Sequence, residues 1–159
     1  MKFADSSADT GRSHASKPLP TAGELERLLS QSIQSFYREA FGQKPKRIIC
    51  HLFSRELAVV AEGTPTKLEQ FLKLNEFGPF AQQLRLDLDQ LTKPRLISLI
   101  EEILAVPVIE LLVSTGLESG YTGMLAVLAE TPPVRNPDLI PKTPAYQQLR
   151  RSYKASSDG

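Results

Sequence analysis

Cys50 and His51 are the neighbouring residues whose types come nearest to a nucleophile and a base. They lie in an apolar run rich in β-forming residues, and consecutive side chains of a strand point to opposite faces. The two side chains therefore cannot act on one substrate atom. A hydrolase triad would also need an orienting carboxylate, and the sequence has no G-x-S-x-G turn. We expect Cys50 in the core, His51 at a partly exposed or interfacial position, and no enzymatic activity.

The acidic residues do not predict a metal site. Asp87 and Asp89 are two apart on a predicted helix and therefore diverge, while Glu101 and Glu102 are adjacent, so we expect all four on solvated faces. The single Cys cannot supply the ligands of a structural zinc centre. EF-hand, P-loop and G-x-G-x-x-G spacings are missing from the sequence. We expect neither a metal nor a cofactor.

The densest polar feature is the basic stretch YREAFGQKPKR, which supplies the candidate ligand- or partner-binding residues Tyr37, Arg38, Lys44, Lys46 and Arg47. Cations in such a cluster could hold a phosphate or carboxylate. A solvated turn explains the same residues, because Glu39 dilutes the charge and no glycine-rich loop accompanies it. A nucleic-acid partner is not expected, since few aromatic residues are interleaved with the cations and the net charge is only +1.

Length and composition predict one small domain with two tails. The chain has 159 residues, of which 41% are hydrophobic. Residues 1–20 are rich in small and polar residues and predict a disordered leader, and residues 131–159 form a Pro-rich, mildly basic tail. The body, residues 21–130, carries 11 basic and 14 acidic side chains, a net charge of −3. One cysteine and no membrane-spanning apolar run favour a reducing, cytoplasmic location.

Hydrophobic spacing in the body predicts an α+β fold. A capping box at Thr21 and Glu24 opens a helix that Gly42 ends, and Thr64-Pro65 resembles the start of a second helix. Pro94 predicts a kink or break near Thr92 in the third helical stretch. The predicted strands are 47–53, 57–62, 106–115 and 121–129. The order α-β-β-α-α-β-β predicts a four-stranded, mainly antiparallel sheet packed against helices.

Both faces of the first predicted hairpin are largely apolar. Either helices cover both faces, or one face is a subunit interface. The second alternative predicts a homodimer, with Ile49, His51, Phe53 and Val60 as candidate interface residues.

The stretch SFYREAFGQKPK (35–46) resembles the opening motif of the MpsC-like family, a domain of unknown function in small bacterial proteins. LAVVAEG (57–63), TPTKLE (64–69), LISLIEEIL (96–104) and the closing hairpin are also similar to that family, so the resemblance covers about residues 30–130. The chain departs from the family pattern at Lys44 and Ala105, where glycine is usual.

The resemblance implies a non-enzymatic accessory or regulatory role in a sodium-translocating system that generates membrane potential and is related to ion or inorganic-carbon uptake. It implies contact with a membrane transport complex through protein–protein interaction, hence a cytoplasmic protein held peripherally at the membrane by a partner. The alternative that the residues leave open is a small-anion or nucleotide-binding sensor that uses the basic cluster.

Overall fold

The structure is a computed structural model that describes residues 18–141, so the predictions for most of the leader and for the end of the tail fall outside the described residues. It confirms the α+β fold and the predicted element order. The elements of the described part are α1 (Ala22–Phe41), β1 (Arg47–Phe53), β2 (Glu56–Glu62), α2 (Lys67–Leu74), α3 (Gly78–Leu104), β3 (Val108–Gly116), β4 (Tyr121–Leu128) and a short 3₁₀ helix (Pro137–Leu139).

The sheet has the strand order β1-β2-β4-β3, and all its neighbouring pairs are antiparallel. Alternate residues of every strand face inward, where Cys50, Leu57, Leu111 and Ala126 join the core. The helices α1 and α3 pack against this inner face. The described residues leave the other face open, so helices do not cover both faces of the hairpin.

Local signals set most helix ends. Thr21 and Glu24 form the predicted capping box, and Gly42 ends α1 in the left-handed conformation at φ 68°. The prediction for the start of α2 is wrong by two residues, because Thr66 caps this helix through a capping box with Glu69. Thr64 instead turns inward and is buried.

The third helix runs unbroken from Gly78 to Leu104, with Pro94 inside it, so the break considered near Thr92 does not occur. The Thr92 hydroxyl donates to the Leu88 carbonyl at 2.9 Å, in the turn before the proline. One inward stripe runs the length of the helix at steps of four or seven residues: Ala81, Arg85, Asp89, Leu96, Ile100 and Leu104. After Ala81 the first half of this stripe is charged, with Arg85 and Asp89, and the second half is apolar.

Residues 131–141 continue the packing beyond residue 130. Val134 and Ile140 are buried in the core. The Asn136 side chain accepts a hydrogen bond from the backbone N–H of Ala22 at 2.9 Å, and the Pro141 carbonyl accepts one from Ser54 N–H at 3.2 Å. The start of the Pro-rich tail is therefore fastened to both the first helix and the first hairpin.

Candidate functional site

A buried ion pair joins α2 to α3. The guanidinium of Arg85 donates to both carboxylate oxygens of Glu69, at 2.5 Å from Nε and 2.6 Å from Nη2. Glu69 is fully buried and Arg85 is 2% exposed. Two parallel N–H···O bonds give this pair both strength and a fixed orientation. It therefore sets the position of the short helix α2 on the longer α3.

The ion pair continues into a chain of polar groups at the end of the sheet. Arg85 Nη1 lies 3.4 Å from Asp89 Oδ1, and Thr115 donates to Asp89 Oδ2 at 3.2 Å. The Thr122 hydroxyl lies 2.7 Å from that of Thr115 and 2.6 Å from that of Thr64. Each hydroxyl has one proton, so with Asp89 ionised Thr122 donates to Thr115 and Thr64 donates to Thr122. All three hydroxyl dipoles then point towards the carboxylate.

The prediction that Asp89 lies on a solvated face is wrong. Asp89 was expected there with Asp87, whereas it is 7% exposed and paired with Arg85 one helical turn away. The reason is geometric. Residues two apart on a helix diverge by about 200°, so Asp87 stays exposed while Asp89 faces the sheet.

Burial controls the protonation equilibria of this cluster. It raises the pKa of Asp89 above its ordinary value of 3.8, against the opposing effect of Arg85. Arg85 offsets this effect only in part, because its guanidinium charge is already balanced by the carboxylate of Glu69, to which it donates two hydrogen bonds. Burial also raises the pKa of Tyr37 well above its usual range, and the charge of Asp89 adds to that effect. Burial by itself lowers the pKa of Arg85. The hydrogen bonds and charges of Glu69 and Asp89 together outweigh that effect, so the pKa of Arg85 is above its ordinary value.

The cluster is closed and internally satisfied. Every buried side-chain nitrogen and oxygen within residues 18–141 has a hydrogen-bond partner. Arg85 also donates to the Thr64 carbonyl at 3.2 Å, and its guanidinium lies 5.7 Å from the ring centroid of Phe41. The arrangement can therefore fix the positions of α2 and α3 relative to each other and to the end of the sheet.

Large apolar side chains are exposed on the outer side of α2 and of the start of α3. These helices place five large apolar side chains, each more than half exposed, around the turn that joins them: Leu68, Phe71, Leu74, Phe77 and Phe80. We call this group the apolar tip. The charged side chains Glu69, Arg85 and Asp89 are buried here while large apolar side chains are exposed, which is the reverse of the usual arrangement on a surface helix.

The structure separates the basic residues that the sequence placed together. Tyr37 is buried against the polar cluster, Arg38 is exposed on the last turn of α1, and Arg47 pairs with Glu62 at 3.7 Å. Lys44 and Lys46 are brought together in a cleft of about 500 Å³ at the end of the sheet. That cleft is also lined by Lys73, Leu74, Glu62, Glu118 and the backbone of Gly63 and Gly120.

All four candidate interface residues lie on the open face of the sheet. Ile49 and Val60 are direct cross-strand partners and are 38% and 47% exposed. His51 is exposed and Phe53 is half-buried on the same face. The face continues over the other two strands through Tyr121, Gly123, Leu125 and Val127 of β4 and Leu112 and Ser114 of β3.

Cys50 lies on the opposite face from His51, as the alternation of β1 requires. Its side chain is 4% exposed, and burial raises the thiol pKa to about 11. His51 Nδ1 lies 3.9 Å from Glu26 Oε1, and that carboxylate oxygen also accepts a hydrogen bond from Leu52 N–H at the free edge of β1. The two neighbours therefore sit in separate environments.

Within residues 18–141 no group of three or more His, Cys, Asp or Glu side chains could hold a metal ion. No helix in that part of the chain is long and apolar enough to cross a membrane.

Sequence reasoning missed the polar cluster, although parts of its signal were readable. Glu69 stands three residues after Thr66, the spacing of a capping box, and Arg85 and Asp89 have the i, i+4 spacing of a helical ion pair. Nothing in these spacings says that the pairs face inward. That depends on how α2 and α3 pack on the sheet.

Comparison with known proteins places the chain in a family. A family model described as the Na⁺-translocating membrane potential-generating system (MpsC) matches residues 21–130, more than half of the chain. No curated protein and no solved structure matches. The match covers all three α-helices, the whole sheet and every residue of the polar cluster, and the chain belongs to the MpsC family.

Proposed function

We propose that the protein is a non-enzymatic accessory or regulatory component of a Na⁺-translocating system that generates membrane potential, linked to ion or inorganic-carbon transport. Family membership supports the connection to such a system. The single observation that supports action through protein contact is the open sheet face, where apolar side chains from all four strands meet solvent. A continuous group of exposed apolar side chains on one face favours an interaction site.

The same face supports a homodimer. Two sheets can pack face to face about 10 Å apart, with their side chains interdigitating. Gly123 and Ala58 are small residues near the middle of the face, flanked by the larger Ile49, Val60 and Leu125. Such an alternation of small and large side chains lets two copies interlock. The proposed location is cytoplasmic, at the membrane through a partner.

The proposal is tested by purification of the tagged full chain from detergent-solubilised membranes after crosslinking in cells. A transport component should co-purify with the native chain, and the variant Leu112→Asp, which places a charge on the open face, should retain less of it. Leu139→Asp is the matched control, because Leu139 is 72% exposed but belongs to the 3₁₀ helix and not to the sheet. Persistent absence of every membrane component from the native preparation would overturn the proposal.

A second candidate function is a small-anion or nucleotide sensor, supported by the cleft that contains Lys44, Lys46 and Lys73. Lys73 pairs with Glu118 at 2.8 Å, which leaves the first two lysines as the main attraction for an anion. A thermal-shift panel of phosphates, nucleotides and bicarbonate tests it. A ligand at about 100 times its Kd should add about 2.7 kcal/mol to the free energy of unfolding. Unchanged melting temperatures with every anion would exclude this candidate.

A further inference from the structure

The apolar tip is the most exposed apolar surface formed by the helices. Leu74, at 82% exposed, has the highest exposure among the large hydrophobic side chains of the described residues. Phe71, Phe77 and Phe80 are each about 60% exposed, and together with Leu72 and Asn75 they line an apolar cleft of about 420 Å³. Exposing three phenylalanines and one leucine to water around a single interhelical connection is unfavourable in free energy.

The polar cluster explains why these side chains cannot turn inward. The inward positions are taken by Glu69 on α2 and by Arg85 and Asp89 on α3. Rotating either helix to bury its apolar side would expose the ion pair and break its two short hydrogen bonds. The cluster therefore holds the tip in its outward orientation.

Lysines border the tip on two sides. Lys44 and Lys46 line the same cleft as Leu74, and Lys67 precedes Phe71 by one helical turn. All three lysines are exposed, and none forms an ion pair with another described residue. The two carboxylates that line that cleft are already paired, Glu62 with Arg47 and Glu118 with Lys73. Between residues 67 and 80, Glu76 is the one exposed acidic residue. These cations stand out on a body whose net charge is −3.

We propose that the apolar tip and its bordering lysines dock directly onto an anionic lipid surface. Leucine and phenylalanine side chains enter the boundary between headgroups and acyl chains, and the lysines remain at the level of the anionic headgroups. A second copy fits this surface less well, because two-fold contact at the tip would bring the lysines of both copies together. This goes beyond the proposed function, because the lipid surface is bound without any protein partner.

The test is sedimentation of the purified full chain with vesicles of phosphatidylcholine alone and of phosphatidylcholine containing phosphatidylglycerol. We expect binding to the anionic vesicles, with weakening as salt is added. Leu74→Ser should weaken binding by roughly tenfold, since it removes one fully inserted side chain. Lys44→Gln and Lys46→Gln should each weaken it by about fivefold. Leu74 is so exposed that its replacement should leave the fold intact.

Leu139→Ser is the control, because Leu139 is comparably exposed and lies near Ser54, at the far end of β1 from Lys46. It should bind the vesicles as the native chain does. Failure of the native chain to sediment with anionic vesicles would overturn the proposal, as would equal weakening by the control. Loss of a self-associated species with Leu74→Ser, without vesicle binding, would assign the tip to a second copy. Because the vesicles contain no protein, this result is separate from that of the co-purification experiment.

Discussion

Arg85 and Glu69 form a doubly hydrogen-bonded ion pair between α2 and α3, and neither residue is more than 2% exposed. A pair of this kind is costly to desolvate, so its contribution lies more in fixing one arrangement than in net stability. Here the arrangement it fixes turns the apolar side of both helices outward. A structural feature of the interior thus determines the chemistry of the surface.

The replacement Glu69→Leu tests the energetic role of the pair. It leaves the buried guanidinium without its main partner, so we expect the free energy of unfolding to fall by about 3 kcal/mol. The double variant Glu69→Leu/Arg85→Met removes both charges and should recover the part of this loss that comes from the unpaired guanidinium, while the capping box with Thr66 stays lost. Urea denaturation measures all three proteins. A double variant that is less stable than the single one would contradict this interpretation.

The raised pKa of Asp89 predicts a pH dependence of stability. The folded state holds the proton to higher pH than the unfolded chain, whose carboxyl has a pKa near 3.8. The resulting contribution to stability is fully present below that value and is lost as the pH rises through the raised folded-state pKa. Asp89→Asn cannot lose a proton, so the stability of the native chain relative to this variant should decrease from pH 4 towards neutrality. Urea denaturation over that range would show the opposite trend if the folded-state pKa were lowered.

Ala105 ends α3 with φ 57°, in the left-handed region that glycine adopts without steric cost. Ala105→Gly should therefore raise the free energy of unfolding by up to about 1 kcal/mol. Ala40→Gly, on the exposed side of the last turn of α1, is the same chemical change and should lower it by about 0.5–1 kcal/mol. Thermal or urea unfolding of both variants checks the predicted opposite signs.

Cys50 should be unreactive in the native protein. Its thiol is buried and has a pKa of about 11, so the thiolate is scarce at neutral pH. We expect slow labelling by a disulfide reagent in buffer and fast labelling in urea. Immediate labelling of the folded protein at neutral pH would show that β1 opens readily or that the thiol is not buried.

The proposed homodimer predicts an effect of charge on the open face. Val60→Asp would place a carboxylate opposite Ile49, in the middle of the proposed contact, and should convert the dimer to a monomer. Light scattering at micromolar concentration measures the mass. Leu91→Asp is the control, since Leu91 is 74% exposed on α3 and should leave the dimer intact. A monomeric native protein would reject the dimer.

The sequence predicted local structure well where the deciding interactions are local. The capping box at Thr21, the glycine stop at Gly42 and the alternation in β1 depend on residues within a few positions of one another. The prediction for the start of α2 was wrong because it placed the cap at Thr64-Pro65, although Thr66 is followed three residues later by Glu69 and forms the capping box with it. The hydroxyl of Thr64 is instead bonded to that of Thr122, which lies 58 residues further along the chain.

The sequence by itself determined the element order, the antiparallel sheet and the lack of contact between Cys50 and His51, because spacing along a helix or strand fixes which side chains share a face. Only the tertiary structure decided which face of each element points inward. Periodicity gives an apolar stripe on α3, but it cannot reveal that Arg85 and Asp89 turn towards the sheet. That inversion needs a carboxylate on α2 and hydroxyls on β3 and β4, and these groups meet Arg85 only when the chain has folded.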